Sequence, residues 1–232
     1  MKILYFDCNR GISGDMIVSS LLELFDEDLI KELNNIQIAT FNKEKVNKYN
    51  QSGTRLIIQA VDNHGHRHLD EVFKIINNLN INEKVKEDAK NIYKIIANAE
   101  SNVHNETVYN VHFHEVGSIK AIANVIASAY LINKLNVDNI FASKINIGKG
   151  KVECAHGLLD IPTPATKEIL KDIPYFCNDI EGELATPTAV AILKYYVDEF
   201  KDNINMKLFK KGVGIGNKDF KKTTHLETYL YE

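Results

Sequence analysis

Short runs of branched and aromatic residues alternate along the chain with segments whose apolar residues recur at helical spacing. Residues 2–7 are apolar and rich in branched and aromatic side chains, which predicts a buried first strand. A glycine-bearing turn follows at 9–14, and the apolar positions after it predict a helix that Ser13 caps. The chain is therefore expected to open with a strand, a glycine turn and a helix.

The next stretch changes to alternation and then returns to helical spacing. Residues 36–61 alternate on either side of a polar stretch at 50–53, which predicts an antiparallel hairpin. Two helices joined by a short polar link are expected at about 69–79 and 82–103. The hairpin and the helix pair, 36–103, are a candidate subdomain.

The second half of the chain mixes short strands and helices. The predicted elements are an extended piece at 111–114, a helix at 118–135, strand–glycine turn–strand over 138–155, a helix from Pro162 and Pro164 to about Leu170, a helix from Pro187 to about Phe200, and two strands within 205–231 around Gly212, Gly214 and Gly216. No repeat or low-complexity linker divides the sequence. The simplest architecture is one mixed α/β (α+β) domain over 1–232, with a mixed sheet flanked by helices.

Composition narrows the class of protein. With 232 residues, 44% of them hydrophobic, the chain can build a core without disulfides or a structural metal. A net charge of -3 argues against nucleic-acid and anionic-membrane partners. The three cysteines, Cys8, Cys154 and Cys177, point to a reducing compartment, and no apolar run reaches the ~18 residues of a membrane span. We expect a soluble, cytoplasmic protein with small-molecule or protein partners, and self-association as a homo-oligomer is left open.

Five of the eight histidines lie in two short clusters. The first contains His64, His66 and His68, and the second contains His112 and His114. In an extended chain, residues two apart point to the same side, so two such imidazoles can converge on one ion. The sequence leaves open whether the two clusters meet in space. Imidazole binds nickel, zinc, copper and iron, so these histidines are candidate metal ligands without fixing the metal. The alternatives are a solvated loop for the first cluster and a structural pair for the second.

The residues beside these clusters are interpreted separately. Glu115 follows His114 directly, and the turn expected at Gly117 can bring its carboxylate to the same site as ligand or as partner of a ligand. His104, near a helix end, is interpreted as a C-terminal charge, and His225 as structural.

The turn after the first strand is a second candidate site. Its backbone N–H groups and the helix N-terminus can receive an anion, and two carboxylates can hold a divalent ion or position a substrate. The residues concerned are Asp7, Cys8, Gly11, Ser13, Gly14 and Asp15. The turn has neither a Walker ending nor the dinucleotide fingerprint. The alternative is a strand-end Asp followed by an Asp that the helix dipole favours.

A third candidate site combines glycines, lysines and a Cys–His pair. Lys149 and Lys151 can meet a phosphate, and Cys154 and His156 stand two apart as ligands. An ordinary strand–turn–strand with solvated lysines is the alternative. Thr186, which can cap a helix opened by Pro187, is a further candidate in an acidic segment, with a simple helix start as its alternative.

Together these stretches resemble the LarC family of nickel insertases, in order and spacing, along nearly the whole chain. The matching stretches are Asp7-Cys8, Gly11 to Met16, His66 to Leu69, Val111 to Gly117, Cys154 to Gly157, Glu181 to Leu184, and Thr186 to Thr188. One motif alone is weak, but the set is specific.

The resemblance implies insertion of nickel into a pyridinium mononucleotide carrying two thiocarboxylates, with two Ni–S bonds and one Ni–C bond formed and CTP consumed. Histidines would deliver or hold nickel, and the glycine turns and lysines would receive the nucleotide phosphate. His114 and Glu115 are the first choices for the group that accepts the ring proton, and Asp15 is placed with them as a catalytic candidate.

Three departures from the family pattern bear on activity. Asn9-Arg10 stands where the family usually has Phe-Ser, and Lys120 and Asn124 stand at what look like acidic positions. The family also usually continues into a C-terminal domain associated with CTP, where Mg or Mn would act with the nucleotide, so that a C-terminal LarC-like domain or chain is an expected partner. The alternatives are a non-catalytic paralogue that binds nickel or nucleotide, and a metal-dependent hydrolase or transferase.

Overall fold

Helices pack against a mixed sheet in this protein. The computed structural model describes residues 1–62, 66–155, 157–202, 204–220, 222 and 224–232. The helices are α1 (Gly14–Leu22), α2 (Ile30–Asn35), α3 (Leu69–Asn78), α4 (Glu83–His104), α5 (Ile119–Leu135), α6 (Pro164–Ile169) and α7 (Pro187–Tyr196). The strands are β1 (Ile3–Asp7), β2 (Thr40–Lys48), β3 (Gln51–Gln59), β4 (Asn139–Ala142), β5 (Ile145–Asn146), β6 (Gly148–Lys149), β7 (Lys151–Cys154), β8 (Gly157–Asp160), β9 (Tyr175–Phe176), β10 (Gly182–Glu183), β11 (Glu199–Phe200), β12 (Leu208–Ile215) and β13 (His225–Tyr231).

Seven strands of the described residues form the main sheet, in the order β11-β4-β1-β13-β12-β3-β2. The first strand, β1, pairs in parallel with β4 and antiparallel with β13, and β12 joins the hairpin β2–β3 through a parallel contact between Gly214 and Thr54. Leu4 and Phe6 of β1 are fully buried, as the apolar run predicted. The predicted α/β class, with a mixed sheet flanked by helices, is confirmed.

Glycines in β12 explain how closely α1 packs on the sheet. A Cβ at Gly212 would lie 2.0 Å from the carbonyl oxygen of Ser20, and one at Gly214 would lie 2.2 Å from that of Met16. The two predicted C-terminal strands are present, and these glycines lie inside the first of them. They are required because the helix backbone occupies the space of a side chain.

Several predicted elements have different bounds. The hairpin is antiparallel as predicted, but Ile36 and Ile38 precede it, because the chain first forms α2 and begins β2 only at Thr40. The helix that begins at Pro187 ends at Tyr196, and the residues up to Phe200 include the short strand β11 instead. The segment 138–155 contains β4 to β7 rather than two strands.

A buried carboxylate ties the helices together behind the site. Asp88 of α4 is fully buried and accepts hydrogen bonds from Lys84 Nζ at 2.6 Å, Asn133 Nδ2 at 2.7 Å, Tyr195 Oη at 2.7 Å and Tyr196 Oη at 2.8 Å. Burial opposes ionisation, but these hydrogen bonds outweigh it and lower the pKa of Asp88. Helix α4 is thereby fixed to α5 and to the end of α7.

The helices and hairpin of 36–103 share the apolar core of the rest of the chain, through residues such as Phe41, Leu56, Val72 and Ile96. Their division into a subdomain stays a prediction. Within the described ranges, none of the helices combines the length and apolar character that crossing a bilayer requires.

Candidate functional site

Two short segments pair to present four histidines on one side. The backbone N–H of Arg67 donates to the carbonyl oxygen of Phe113 at 3.1 Å, and the N–H of Phe113 donates back to Arg67 at 2.7 Å. This is a single antiparallel bridge. Because side chains alternate along extended segments, the residues on either side of the bridge point away from Arg67 and Phe113. We call these four residues the histidine ladder: His66, His68, His112 and His114.

The opposite side of the bridge is anchored in the core. Phe113 is fully buried and Arg67 is 5% exposed. The Arg67 guanidinium donates to both carboxylate oxygens of Asp62, at 2.7 and 3.1 Å, and to the carbonyl oxygen of Gly117 at 2.7 Å. Asp62 also accepts from the backbone N–H of Ile119 at 2.7 Å, at the start of α5. Arg67 was not predicted as a site residue. Its place between His66 and His68 was visible in the sequence, and alternation in an extended segment puts its side chain opposite to the two imidazoles.

The imidazole rings of the ladder contact one another. The ring centroids lie 4.4 Å apart for His66 and His114, 4.1 Å for His68 and His112, and 6.4 Å for His66 and His112. The Nδ1 atom of His68 lies 3.1 Å from the carbonyl oxygen of Val111. Since a carbonyl only accepts, Nδ1 of a neutral His68 carries the proton and Nε2 keeps its lone pair, the arrangement common in metal-binding histidines.

The structure thus brings the two histidine clusters together at 66, 68, 112 and 114, while the predicted ligand His64 lies outside the described residues. In the part of the chain that the structure describes, no three or more His, Cys, Asp or Glu side chains are grouped so as to hold a metal ion. The described rings stand in two close pairs, His66 with His114 and His68 with His112.

A cavity of about 310 Å³ lies beside the ladder. Its polar lining includes His114 and Glu115, as well as Cys154 and Glu183. Apolar side chains of β7, β8 and α7 form its walls, among them Val152, Leu159 and Pro187. The size suits a small molecule, and the walls are mainly apolar with a few convergent polar groups.

Glu183 places a nearly buried carboxyl group in the lining of this cavity. Its side chain is 9% exposed, and Lys218 Nζ lies 3.7 Å from Oε2. Burial raises the pKa of Glu183, Lys218 opposes the shift, and Glu115 adds to it. Glu183 lies in a stretch that matches the family but is not among the predicted site residues, because nothing in the sequence shows that its side chain is buried.

His104 and Glu100 of α4 also line the cavity. The Nε2 atom of His104 lies 3.5 Å from Oε2 of Glu100, one helical turn earlier. His104 lies in the last turn of α4, as interpreted from the sequence, but its place in the lining of the cavity was not predicted. The i, i+4 spacing of Glu100 and His104 was visible in the sequence. The sequence did not show that this pair lines the same cavity as His114.

The predicted site at the first turn uses its polar groups within the fold. Asp7 Oδ1 accepts from the backbone N–H of Asn9 at 3.0 Å and from its side chain at 2.7 Å. Cys8 is fully buried, and burial raises its pKa, so its thiol is neutral in the core. Asp15 accepts from Ser13 Oγ and, at 2.6 Å, from Asn217 Nδ2. None of these residues is among those lining the cavity.

The glycines of this turn serve close packing. Gly11 has φ +101°, and a Cβ there would lie 2.8 Å from the carbonyl oxygen of Leu184. A Cβ on Gly14 would lie 2.9 Å from that of Asn124 on α5. Ser13 occupies the N-cap position of α1 as predicted, but its side chain makes no capping hydrogen bond to the helix.

The two family departures on α5 are placed differently. Asn124 packs against Gly14, and its Oδ1 is buried without a hydrogen-bond partner among the described residues. Lys120 is exposed. The side chain that packs against the start of α1 is therefore an uncharged amide, where the family pattern has an acidic residue.

The third candidate site is divided. Lys149 is exposed on β6, and Lys151 pairs with Asp160 at 3.0 Å on the surface. Cys154 lines the cavity, and its Sγ lies 3.5 Å from the carbonyl oxygen of Gly157. Thr186 caps α7, its Oγ1 accepting from the N–H of Ala189 at 3.4 Å. The predicted residue His156 lies outside the described residues.

The glycine turn and the cavity are nonetheless joined. Ile12 N–H donates to the carbonyl oxygen of Leu184 at 2.7 Å, and Thr186 N–H donates to that of Ile12 at 3.1 Å. The segment between the two cavity-lining residues Glu183 and Pro187 is thereby fixed to the turn.

Comparison with known proteins identifies relatives along the whole chain. A family model described as nickel insertion protein matches residues 4–231. A relative from Dictyoglomus thermophilum, also named for nickel insertion, is 41% identical over 236 residues, covering 100% of this chain and 61% of the relative. No solved structure matches the chain.

Two further relatives have more specific names. The pyridinium-3,5-bisthiocarboxylic acid mononucleotide nickel insertion proteins of Clostridium kluyveri and Clostridium acetobutylicum are 39% and 36% identical. The alignments cover 100% of this chain but only 62% and 64% of these relatives, so the chain spans less than two thirds of their length. With a family model matched over nearly its full length, the chain belongs to the nickel insertion protein family.

Proposed function

We propose that this chain receives nickel and takes part in its insertion into pyridinium-3,5-bisthiocarboxylic acid mononucleotide. The observation that carries the proposal is the placement of the histidine ladder at the edge of the cavity, with His114 belonging to both. Imidazole suits divalent nickel, and the cavity has room for a small ring. The names of the relatives supply the substrate.

In this proposal the ladder holds nickel loosely as substrate. His68, oriented by the Val111 carbonyl, presents Nε2. The other positions around nickel are open to water and then to the two thiocarboxylate sulfurs. Exchange of nitrogen ligands for sulfur ligands moves the ion from the ladder to the nucleotide without a change of oxidation state.

The cavity would hold the pyridinium ring. Glu183 and Glu115 place carboxylates near a ring that carries positive charge, which favours this ring over a neutral one. Two Ni–S bonds and one Ni–C bond form, the ring C–H bond breaks, and its proton passes to His114 or Glu115 as general base. Cys154 lies in the same lining and is proposed to face the thiocarboxylates.

The remaining predicted residues would act around this centre. The turn with Asp7, Gly11 and Asp15 is proposed to position the segment carrying Glu183 rather than to touch nickel, because its polar groups are bonded within the fold. Lys149, exposed on β6 next to β10, is proposed to meet the nucleotide phosphate. CTP, with Mg or Mn, is proposed to act in the additional length that the relatives have, supplied as a C-terminal domain or partner chain.

Reconstitution tests the proposal. The chain is mixed with nickel, CTP, magnesium or manganese, the dithiocarboxylate nucleotide and the C-terminal part of a relative, and the nickelated product is measured by mass spectrometry. Product is expected with the wild-type chain and with Glu44→Gln, an exposed control on β2, and a loss of at least about tenfold is expected with His114→Gln. Absence of product with every C-terminal part would reject the proposal.

A non-catalytic nickel-binding paralogue is the second candidate, because Lys120 and Asn124 replace expected acids and the Asn124 amide oxygen has no described partner. Turnover gained only in the Lys120→Asp, Asn124→Asp variant would favour this candidate. Turnover by the unchanged chain would exclude it.

A further inference from the structure

We infer that the ion pair of Glu183 and Lys218 makes the cavity selective for a positively charged heteroaromatic ring, with Glu183 facing the ring and Lys218 as a positioning residue behind it. This inference rests on the proposed function and extends it to a residue outside the stretches that match the family. Lys218 Nζ lies 3.7 Å from Glu183 Oε2, and the two side chains are 62% and 9% exposed. Of the two, Glu183 is the one that lines the cavity, so Lys218 reaches the carboxylate from the solvent side.

The strand that carries Glu183 is held between two neighbours. On one side, Glu183 pairs with Gly148 of β6. On the other side, the ring of Phe220 packs on the preceding residue: Gly182 has φ +120°, and a Cβ there would lie 2.5 Å from that ring. Phe220 belongs to the same connection between β12 and β13 as Lys218. The backbone beneath the carboxylate and the segment that brings the ammonium group are therefore in direct contact.

The segment that carries Lys218 is anchored at its first residue. Asn217 donates to Asp15 Oδ2 twice, from its side-chain Nδ2 at 2.6 Å and from its backbone N–H at 3.2 Å. The carbonyl oxygen of Lys218 accepts from Lys48 Nζ at 2.8 Å. Asp15 is thereby joined to Lys218 through a single residue, although Asp15 does not line the cavity.

The charges of the pair explain the selectivity. A nearly buried carboxylate keeps its charge when a nearby cation offsets the lost hydration. Burial raises the pKa of Glu183, and Lys218 opposes this rise. A cationic ring in the cavity gives the carboxylate a second favourable charge, whereas a neutral ring of the same shape displaces water from it without compensation.

Other titratable groups surround Glu183. In the lining of the cavity they are Glu100, His104, His114, Glu115 and Cys154. On the strands packed beside β10, Lys149 and Glu153 are exposed, and Lys151 pairs with Asp160. Of these charges and that of Lys218, Glu115 and Lys218 act on the pKa of Glu183, in opposite directions. Lys218 is therefore the residue whose removal should change the behaviour of Glu183 toward a cation.

Two probes of the same shape test the selectivity. 1-Methylnicotinamide carries a permanent positive charge on its ring nitrogen, and 3-methylbenzamide has carbon in place of that nitrogen. Each is titrated into the isotopically labelled chain at neutral pH, and its affinity is obtained from NMR shift changes. The wild type should bind the cation about tenfold more tightly than the neutral isostere. Glu183→Gln should reduce this preference to about twofold or less.

The pH profile of the cation preference separates positioning by Lys218 from simple packing. Lys218→Met removes the charge that lowers the pKa of Glu183, so the preference should disappear at a higher pH than in the wild type. Lys218→Arg keeps the charge and should restore the wild-type profile. In the Glu183→Gln background, Lys218→Met should cause no further shift, because Lys218 acts through Glu183.

Lys222→Met is the matched control. Lys222 lies in the same connection and pairs with a carboxylate, Asp179, at 2.6 Å, but it does not line the cavity. Its profile should equal that of the wild type. Circular dichroism checks that each variant is folded, which is expected for Lys218→Met because that side chain is mostly exposed.

The results separate this inference from the proposed function. Equal affinities of the wild type for the cation and its isostere, or no binding of either probe, would overturn the inference even if nickel insertion proceeds. A Lys218→Met profile identical to that of the wild type would also overturn it. A cation preference that depends on Glu183, in a chain that inserts no nickel with any C-terminal part, would reject the proposed function and leave the selectivity standing.

Discussion

The histidine ladder and the glycine turn after β1 are both short and rich in polar side chains, but they use those side chains differently. In the ladder, the backbones of the two segments bond to each other, and the Arg67 guanidinium bonds to Asp62 and to the Gly117 carbonyl. The four imidazoles lie on the other side. In the turn, Asp7 bonds to Asn9, Asp15 bonds to Ser13 and Asn217, and Cys8 is buried. Polar side chains of the turn therefore stabilise the fold, whereas the imidazoles of the ladder are placed where they can contact a ligand.

The difference follows from local geometry. A pair of extended segments projects alternate side chains to opposite sides, so one side can be structural while the other faces a ligand. A tight turn into a helix leaves backbone N–H groups unpaired, and nearby Asp and Ser side chains satisfy them or one another. Polar residues in such a turn are therefore weaker indicators of a ligand than histidines spaced two apart.

The largest expected effect comes from removing the anchor of the ladder. Arg67→Met leaves Asp62 and the Gly117 carbonyl without their buried partner and should lower the free energy of unfolding by about 4 kcal/mol. Arg55→Met is the control: its pair with Glu44, at 3.2 Å, is 30% and 45% exposed. It should lose less than about 1 kcal/mol in urea unfolding. Equal losses in the two variants would mean that the anchor is not special.

The turn should respond next most strongly, and through backbone strain rather than nickel binding. Gly11→Ala forces a Cβ into φ +101° against the Leu184 carbonyl and should lower unfolding free energy by about 3 kcal/mol. Gly150→Ala shares a positive φ, +89°, but its Cβ would have no described atom within 4 Å, so about 1 kcal/mol is expected. A nickel affinity changed by Gly11→Ala, with unfolding unaffected, would reverse the roles assigned to turn and ladder.

A smaller effect is expected from Glu183→Gln in the cavity, where the change in unfolding free energy should depend on pH. The pKa of Glu183 is raised from an ordinary value of 4.5, so the folded state binds more protons than the unfolded state between 4.5 and the raised pKa. Stability from this group is full below 4.5 and falls as pH rises through that window. Glu183→Gln, always neutral, should exceed the wild type above the window by on the order of 1 kcal/mol.

Thermal unfolding of both proteins across the acidic range measures this difference. Glu44→Gln, an exposed acid exchanged in the same way, should follow the wild-type curve to within about 1 kcal/mol. Parallel curves for Glu183→Gln and the wild type would show that the cavity does not hold the carboxylate as described.

Periodicity alone predicted much of the fold. The strand at β1, the hairpin and the helices α3 to α5 follow from alternation and helical spacing, which are local properties. The pairing of residues 66–68 with 112–114 is a long-range contact, and the sequence left open whether these two segments meet. His104 and Glu183 could not be predicted in this way. Each is remote in sequence from the ladder, and only the packing of α4 and of the Leu184 segment brings it to the cavity.

The same limit explains the elements with wrong bounds. The apolar pattern after Pro187 continues past Tyr196, but Asp198 N–H donates to the Ile140 carbonyl at 2.8 Å and the chain joins β4 instead. Sheet pairing decided between helix and strand there, and a single sequence does not show the pairing partner.

Nickel affinity of the ladder and turn variants tests the central claim most directly. By calorimetric titration of nickel, His66→Ala and His112→Ala should each weaken binding by about tenfold or more, equal to at least about 1.4 kcal/mol. Asp15→Asn should bind nickel within about twofold of the wild type. Wild-type affinity in both histidine variants, or a loss in Asp15→Asn as large as theirs, would contradict the claim that the histidine ladder receives the metal.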